Sequence, residues 1–313
     1  MAASLDTRGV EASEARVSRA SWADWVALTK PRITRMVVLT AGLGFAMAVW
    51  AGAAWTWAGL VGTLLGTAAS CAAAGVGNQV LERRADARMP RTRDRPVAAG
   101  RVSPRDALGF AAVLAVLGQG VLCTLGTPLA SALAALTIAL YVGVYTPLKP
   151  RTSGSLWVGA VPGALPPVIG FAAASSGLPG TPWFGGTSAA IWWVFAAMFF
   201  WQVPHFLAIA WRFREDYAAG GLAMLPVIDP SGRRTGRQAV IGAALLLGSV
   251  AVPAATGTLA WWAAAPAAAA AVAFLFWSAG FARRLDAAST RRLFLSSLAV
   301  LPVLLACFAV GAR

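Results

Sequence analysis

Residues 53–77 read AAWTWAGLVGTLLGTAASCAAAGVG and run directly into residues 78–96, NQVLERRADARMPRTRDRP. The first stretch contains no charged side chain and is longer than the roughly 20 apolar residues that cross a bilayer. The second stretch places an amide, carboxylates and arginines directly at the end of that span. Ionisable groups beside a membrane span are costly and by default indicate function. The junction therefore predicts a transmembrane helix that ends in a polar site.

Composition extends the membrane prediction to the whole chain. Of its 313 residues 58% are hydrophobic and 12% are charged, which is about half the charged fraction of a soluble domain. We expect an all-α integral membrane protein, in which residues 28–313 form one polytopic domain and residues 1–27 a disordered cytoplasmic tail. Stretches that could each form a transmembrane helix occur nine times, at about 33–51, 54–77, 105–125, 128–146, 156–174, 188–210, 238–256, 258–281 and 292–311.

The positions of the charges predict the topology. The 26 Lys and Arg residues lie at or before the start of the first span, in the loops after the second, fourth, sixth and eighth spans, or at the C-terminus. By the positive-inside rule, the N-terminus is cytoplasmic and the C-terminus is outside. All 12 acidic residues share the inner side, so we expect an active site on the cytoplasmic face of the cell inner membrane. The net charge of +14 then reflects topology, and no nucleic-acid partner is expected.

Asn78, Glu82 and Asp86 form the first candidate site. On an α-helix, a spacing of four residues advances the face by about 40° and rises about 6 Å, so the three side chains share one face. Their outer members lie about 12 Å apart along the axis, whereas Mg²⁺ is coordinated at about 2.1 Å. Oxygen ligands favour such a hard cation, so two ions or bridging waters are expected. The alternative is a solvated helix end that pairs with neighbouring arginines.

Arginines and a second acidic cluster complete the pattern. Arg91 and Arg95 are candidates for binding phosphate, because guanidinium groups bind phosphate oxygens bidentately; alternatively, they only satisfy the topology. After the sixth span, Glu215 and Asp216 lie close to Arg212. Adjacent helical residues point about 100° apart, so we expect only Asp216 to face the first motif. Two opposed acidic sites can hold metal ions that bridge one diphosphate.

Further candidates for substrate binding lie near the inner ends of other spans. His205, the only histidine, precedes Asp216 by about three helical turns and is expected on the same face. It could act as a ligand or a proton carrier, or it could be a hydrogen-bonded core residue. Tyr145 and Lys149 end the fourth span, and Lys30 opens the first. Both lysines could meet an anion, with interface anchoring as the alternative.

Several of these stretches together resemble one known family. In chain order they are LTKPRIT (28–34), NQVLERRADARMPRTRDRP (78–96), YTPLK (145–149), VGAVPGALPPVIGF (158–171), WQVPHFLAIAW (201–211) and REDYAAGGLAMLP (214–226). Their order and combination are similar to the protohaem IX farnesyltransferase, or haem O synthase, family of the UbiA prenyltransferase superfamily. The resemblance covers nearly the whole chain after about residue 25.

The resemblance implies Mg²⁺-dependent transfer of a farnesyl group from farnesyl diphosphate to a vinyl group of haem B, giving haem O for terminal oxidases. It implies a nine-helix bundle around a central cavity, with Asn78, Glu82, Asp86 and Asp216 as the catalytic, metal-organising residues. The expected substrate-binding residues are Lys30, Arg91, Arg95, Tyr145, Lys149, His205, Arg212 and Glu215. Besides the substrates and the lipid bilayer, haem A synthase or oxidase assembly factors are expected partners. The alternatives are a UbiA-type enzyme that acts on a quinone precursor, or a non-enzymatic transporter.

Overall fold

The computed structural model describes residues 20–175 and 187–313, and within them the chain is helical. An isolated antiparallel bridge joins Leu259 to Ala312. The helices are α1 (Trp22–Leu28), α2 (Pro31–Trp50), α3 (Trp57–Asp86), α4 (Pro104–Leu125), α5 (Pro128–Ile138), a π-helical segment (Ala139–Tyr145), α6 (Thr146–Leu148), α7 (Ser155–Ala164), α8 (Pro166–Ala174), α9 (Thr187–Arg212), α10 (Arg214–Gly220), α11 (Leu225–Ile228), α12 (Arg233–Ala255), α13 (Trp261–Arg284) and α14 (Ala287–Gly311).

The predicted transmembrane architecture is confirmed. Counted over the described residues, nine spans are long and apolar enough to cross a membrane. Seven are the single helices α2, α3, α4, α9, α12, α13 and α14. One more joins α5, the π-helical segment and α6, and another joins α7 and α8. The second predicted span, 54–77, is too short, because α3 continues without a break to Asp86. The chain is therefore a multi-pass membrane protein.

Helix starts follow local rules of the sequence. The side chains of Thr56, Ser103, Thr127 and Asp286 each accept a hydrogen bond from a backbone N–H in the first turn of the helix that follows. Such caps satisfy donors that have no partner within the helix. Proline occupies one of the first two positions of α2, α4 and α5, where its missing N–H costs nothing.

Close backbone contact joins α2 to α8. A Cβ atom added to Gly44 would lie 1.8 Å from the carbonyl oxygen of Pro167, and one added to Gly170 would lie 1.7 Å from that of Ala41. Only glycine fits at these two positions. Packing of this kind is how helices associate in lipid, where apolar burial alone does not favour contact. The α2–α8 contact is therefore a rigid seam in the bundle.

The outer surface of the bundle is apolar. Large hydrophobic side chains are exposed along the spans, among them Leu65 on α3, Val116 on α4 and Phe276 on α13. Exposed apolar surface of this extent would be a liability in water. Around a transmembrane bundle it is the surface that lipid chains cover, which agrees with the membrane assignment.

The predicted tail of residues 1–27 is wrong over residues 22–27. These residues form most of α1, which a capping box between Ser21 and Asp24 begins and whose last residue, Leu28, is fully buried. Composition alone missed this helix because only Leu28 and Asp24 are buried, while Trp22 is 82% exposed. Residues 1–19, the rest of the predicted tail, lie outside the described residues, as does the outer loop 176–186.

Candidate active site

The inner end of α3 brings the first predicted motif together. Asn78, Glu82 and Asp86 are 1%, 8% and 1% exposed, whereas Leu81 and Arg84 on the opposite side of the helix are exposed. The prediction that the three polar side chains share one helix face is therefore confirmed. Their burial also excludes the alternative of a solvated helix end. Buried carboxylates need partners, and each of these has one from elsewhere in the chain.

Glu82 and Asp86 each form a buried ion pair. The ammonium of Lys149 lies 2.6 Å from Glu82 Oε1, and Arg95 Nη1 donates to both oxygens of Asp86 at 2.8 and 2.9 Å. The Lys149 and Glu82 side chains are 14% and 8% exposed. Arg83, the neighbour on α3 that could have paired with Glu82, instead donates to the Val80 carbonyl. Tertiary structure, rather than helical spacing, selects the partners.

Asn78 connects the start of the first span to the end of the fourth. Lys30 Nζ donates to Asn78 Oδ1 at 2.6 Å, and Asn78 Nδ2 donates to Thr146 Oγ1 at 3.0 Å. Thr146 in turn donates to the carbonyl of Tyr141. Lys30 has a left-handed backbone, with φ of 49°, and stands immediately before α2. An amide that accepts from one group and donates to another fixes its own orientation.

The two lysines experience opposite shifts. Burial, together with the nearby cations Arg95 and Lys149, lowers the pKa of Lys30 to about 7. Burial also opposes the charge on Lys149, but the oxygens of Tyr145 and Glu82 outweigh it and raise the pKa of Lys149 above its ordinary value. A desolvated ammonium that lacks a full counter-charge is a site that an anion would stabilise.

The loop after α3 docks on α10. Arg88 Nη2 donates to the Gly220 carbonyl at 3.1 Å, and the buried side chain of Met89 packs against Gly220. This docking brings Arg91 Nε to 3.8 Å from Asp216 Oδ2. The second acidic cluster therefore meets the first through the arginine loop, and Asp216 is the acid that faces it, as predicted.

Aromatic rings surround the cations of the site. The guanidinium of Arg91 lies 5.0 Å from the ring centroid of Phe213 and 5.7 Å from that of Tyr217. Lys149 Nζ lies 4.6 Å from the ring centroid of Tyr145. Tyr145 also packs against Tyr141, with 5.2 Å between ring centroids. The rings hold the cations by cation–π attraction without neutralising them.

Two predicted substrate-binding residues are not brought to the site. The Glu215 side chain is 89% exposed. Among the cations of the described residues, only Arg214 forms an ion pair with it, at 3.5 Å. Arg212 is exposed and packs over Phe213 at 5.4 Å. The non-helical backbone of Phe213 separates α9 from α10, so the helical periodicity of α9 does not continue to Glu215. Glu215 and Arg212 therefore face solvent.

The same break contradicts the expected alignment of His205 with Asp216. His205 lies on α9 and contacts α14; its ring is stacked on Trp201 with 4.7 Å between ring centroids and on Phe294 with 5.3 Å. Its Nδ1 lies 2.7 Å from the hydroxyl of Ser297. Because α9 ends at Arg212, the periodicity that was extended from His205 to Asp216 does not apply. The contacts of His205 are those of a packed interhelical residue.

Sequence reasoning missed Tyr141, Thr146 and Tyr217 in this site. The π-helical segment changes the register of the chain before Thr146, whose N–H and hydroxyl both donate to the Tyr141 carbonyl. Such segments often occur at functional sites, but no residue pattern in the sequence indicated this one. Tyr217 follows Asp216 directly in the sequence, and its role in holding Arg91 depends on the docked loop.

The donors of the site are suited to Mg²⁺ that is shared with a phosphate ligand. Within residues 20–175 and 187–313, no three His, Cys, Asp or Glu side chains come close enough to form a metal cage. Mg²⁺ is ordinarily held by one or two carboxylates together with waters and substrate phosphates. Asp86, Asp216 and the amide oxygen of Asn78 supply donors of that kind, and each now contacts a cation.

Comparison with known proteins identifies the family. The model of the UbiA prenyltransferase family matches residues 37–308. The chain belongs to the UbiA prenyltransferase family. Membership makes it a prenyltransferase, and a non-enzymatic transporter is thereby set aside. The matched range includes both acidic motifs, the arginine loop and Lys149, so most of the site just described lies within it, whereas Lys30 lies outside.

Two relatives of this UbiA-family chain are named protoheme IX farnesyltransferase. It is 37% identical over 296 residues to the protoheme IX farnesyltransferase of Opitutus terrae, covering 94% of this chain and 96% of the relative. It is 41% identical over 242 residues to the protoheme IX farnesyltransferase of Solibacter usitatus, covering 75% and 80%. These values confirm the resemblance found in the sequence motifs.

Solved structures share the fold at low sequence identity. A UbiA homolog from Aeropyrum pernix superposes with a TM-score of 0.68 at 18% identity, covering 88% of this chain and 98% of that one. A UbiA homolog from Archaeoglobus fulgidus bound to GPP and Mg²⁺ gives 0.62 at 17% identity, covering 91% and 99%. The helical bundle is therefore of the UbiA type.

Proposed function

We propose that this chain transfers a farnesyl group from farnesyl diphosphate to a vinyl group of haem B. The observation that carries the proposal is the layer of paired charges at the inner end of α3. Each cation in this layer lies against a side-chain oxygen atom of an amide or a carboxylate; the cations are Lys30, Lys149, Arg95 and Arg91. The relatives named protoheme IX farnesyltransferase supply the substrate class.

The reaction breaks the bond between the first farnesyl carbon and its diphosphate oxygen, and the electron pair leaves with diphosphate. The terminal vinyl carbon of haem B forms the new carbon–carbon bond. Water adds to the adjacent vinyl carbon and releases a proton to solvent, which gives a hydroxyethylfarnesyl group. Arg91, Arg95, Lys30 and Lys149 stabilise the departing diphosphate, because cations aimed at developing charge favour the transition state.

The ion pairs must rearrange when diphosphate binds. Arg95 now holds Asp86, and Arg91 lies near Asp216. Turning these guanidinium groups toward the diphosphate frees both carboxylates for Mg²⁺, together with Asn78 and with Glu82 beside it. Bound there, Mg²⁺ would neutralise charge on the leaving group. The apolar helices around the site exclude water from the allylic cation until carbon–carbon bond formation.

The proposal includes a location and partners. The positive-inside charge pattern supports a site on the cytoplasmic side of the cell inner membrane. Haem O then passes to the enzymes and assembly factors of haem A synthesis and terminal oxidases, which makes them candidate partners. A porphyrin substrate also suits the aromatic and basic surroundings of the site, where propionates can meet arginine.

Product analysis tests the function directly. Membranes that contain the chain are incubated with haem B, farnesyl diphosphate and Mg²⁺, and the expected product is haem O. Asp86→Asn and Asp216→Asn should each reduce the rate at least about a hundredfold, because each removes a carboxylate from the diphosphate site. Glu215→Gln is the matched control, since the Glu215 carboxylate is next to Asp216 in the sequence but is 89% exposed. Full activity of both Asp variants would overturn the assignment of the site.

A substrate panel separates the remaining alternative. A UbiA-type enzyme for quinone precursors would prenylate 4-hydroxybenzoate or a naphthoate and would leave haem B unchanged.

The need for Mg²⁺ is tested separately. Removing Mg²⁺ with a chelator should abolish product formation, and adding Mg²⁺ back in excess should restore it. Undiminished turnover under chelation would remove Mg²⁺ from the proposal and leave the substrate assignment intact.

A further inference from the structure

A second apolar core lies beneath the arginine loop, separate from the main core of the bundle. It joins α1 to α3, to the loop between α3 and α4, and to the base of α4. Its buried members are Leu28, Val76, Val80, Val97, Val102 and Ala107. Trp25 extends it through an edge-on contact with Phe110, at 5.2 Å between ring centroids. The loop that carries the arginines is thus packed against α1.

An ion pair ties α1 to the same loop. Arg101 Nε donates to Asp24 Oδ1 at 2.8 Å, and Arg101 Nη2 donates to the Asp94 carbonyl at 2.8 Å. Asp94 immediately precedes Arg95, the residue that holds Asp86. Asp24 is largely buried and is itself held by the capping box of α1. One guanidinium therefore connects α1 to the backbone that positions Arg95.

The end of α1 positions the second cation. Gln79 Nε2 donates to the Leu28 carbonyl at 2.9 Å within the buried face of α3. Two residues later Lys30, in its left-handed conformation, reaches Asn78. The docking of α1 therefore determines where Lys30 and Arg95 stand, although neither Asp24 nor Arg101 contacts Asn78, Glu82 or Asp86 in the described contacts.

We propose that Asp24 and Arg101 are positioning residues for the diphosphate site and that α1 is a functional part of it. The inference rests on the proposed function. Asp24 and Arg101 act through Arg95 and Lys30, because they fix the backbone from which these two cations reach the site. Catalytic geometry is sensitive on the scale of 1 Å, so a remote anchor of this kind changes substrate affinity.

The test uses the full chain, purified in lipid nanodiscs, with Arg101→Gln, Asp24→Asn and their combination. The KM for farnesyl diphosphate should rise about tenfold in each single variant, while the KM for haem B changes less than about twofold. The effect of the double variant should be smaller than the sum of the two single effects, because both single variants remove the Asp24–Arg101 ion pair. Arg101→Lys keeps the charge and should recover part of the affinity. Asp286→Asn, which removes another inner-side capping carboxylate, is the control and should leave both KM values unchanged.

Binding of inorganic pyrophosphate is measured alongside turnover. The variants should bind it about tenfold more weakly than the wild-type chain. Two outcomes would overturn the inference: equal rises in both KM values, or a loss of thermal stability with unchanged pyrophosphate affinity. Either would show that the Asp24–Arg101 ion pair has only a structural role. If the wild-type chain makes no haem O, the proposed function fails by itself. The pyrophosphate comparison still decides the inference in that case.

Discussion

At the scale of single residues, the buried pair of Glu82 and Lys149 is the most informative contact. Its atoms lie 2.6 Å apart, and both side chains are largely shielded from solvent. Burying two charges costs about as much free energy as their attraction returns, so such a pair is weak evidence of stabilisation. The pair is better explained by anion binding, because the ammonium of Lys149 is already desolvated at the place where a prenyltransferase must accept an anion.

Removing Lys149 should leave the Glu82 carboxylate buried without a partner. We expect Lys149→Met to lower the free energy of unfolding by about 3–5 kcal/mol, as breaking one side of a buried pair does. Combining it with Glu82→Gln should recover most of that stability but none of the activity, since the cation is still absent. Thermal unfolding in detergent and haem O formation measure the two effects. Restored activity in the double variant would contradict a role for Lys149 in diphosphate binding.

What the sequence predicted at this scale depended on distance along the chain. The shared face of Asn78, Glu82 and Asp86 was predictable, because one helix relates them. Their partners Lys30 and Lys149 lie at the ends of other helices, and the sequence predicted them as anion-binding candidates but not as partners of Asn78 and Glu82. The alignment of His205 with Asp216 failed because Phe213 ends the periodicity. Helical periodicity therefore predicted correctly only the relations between residues of the same helix.

At the scale of elements, α1 is held to the bundle both by the second apolar core and by the ion pair between Asp24 and Arg101. Asp24 is the charged part, and its hydrogen bonds with Arg101 and Ser21 lower its pKa from 3.8 to about 2. A carboxyl whose pKa falls on folding stabilises the folded state above its unfolded pKa. That contribution is complete above about pH 4 and is lost as the pH falls through about 2.

The stability difference between the wild-type chain and Asp24→Asn should therefore depend on pH. From pH 5 to 8 we expect it to be constant, at roughly 1–2 kcal/mol after allowance for solvent screening at the loop. Below pH 4 it should shrink, since protonation of Asp24 makes the wild-type chain resemble the variant. Denaturation midpoints over this range measure it. A difference that grows on acidification would reverse the sign and contradict the ion pair.

The α2–α8 seam makes a second prediction about elements. Gly44→Ala would place a methyl group 1.8 Å from a backbone carbonyl oxygen that no rotamer change can move. We expect a loss of several kcal/mol or failure to fold, because overpacking forces the backbones apart. Gly109→Ala in α4, where an added Cβ meets nothing within 4 Å, is the matched control. It should be neutral or stabilising by about 0.5–1 kcal/mol.

At the scale of the whole molecule, the nine spans followed from composition and length alone, and every one was found. Apolar runs predict transmembrane helices well because backbone groups in lipid have no alternative to helical hydrogen bonds. Composition did not predict α1, because few of its residues are buried, or the π-helical segment, because no residue pattern indicated it. Together with the positive-inside charge pattern, an odd number of spans leads us to propose that the two termini lie on opposite sides of the membrane.

Accessibility to a membrane-impermeant maleimide checks the orientation. In a background in which Cys71, Cys123 and Cys307 are replaced by serine or alanine, Glu215→Cys should react only from the cytoplasmic side. Thr256→Cys, exposed between α12 and α13, should react only from the opposite side. Intact and inverted membrane vesicles distinguish the two. Labelling of both positions from one side would exclude the proposed topology.

The glycine contacts between α2 and α8 also restrict how a substrate as wide and flat as a porphyrin can reach the interior. Backbones that touch at Gly44 and Gly170 leave no side chains that could swing aside to form a gate. A substrate that entered laterally from the lipid phase at these two positions would have to separate the helix backbones themselves. The α2–α8 seam is therefore closed to lateral entry at this level of the bundle.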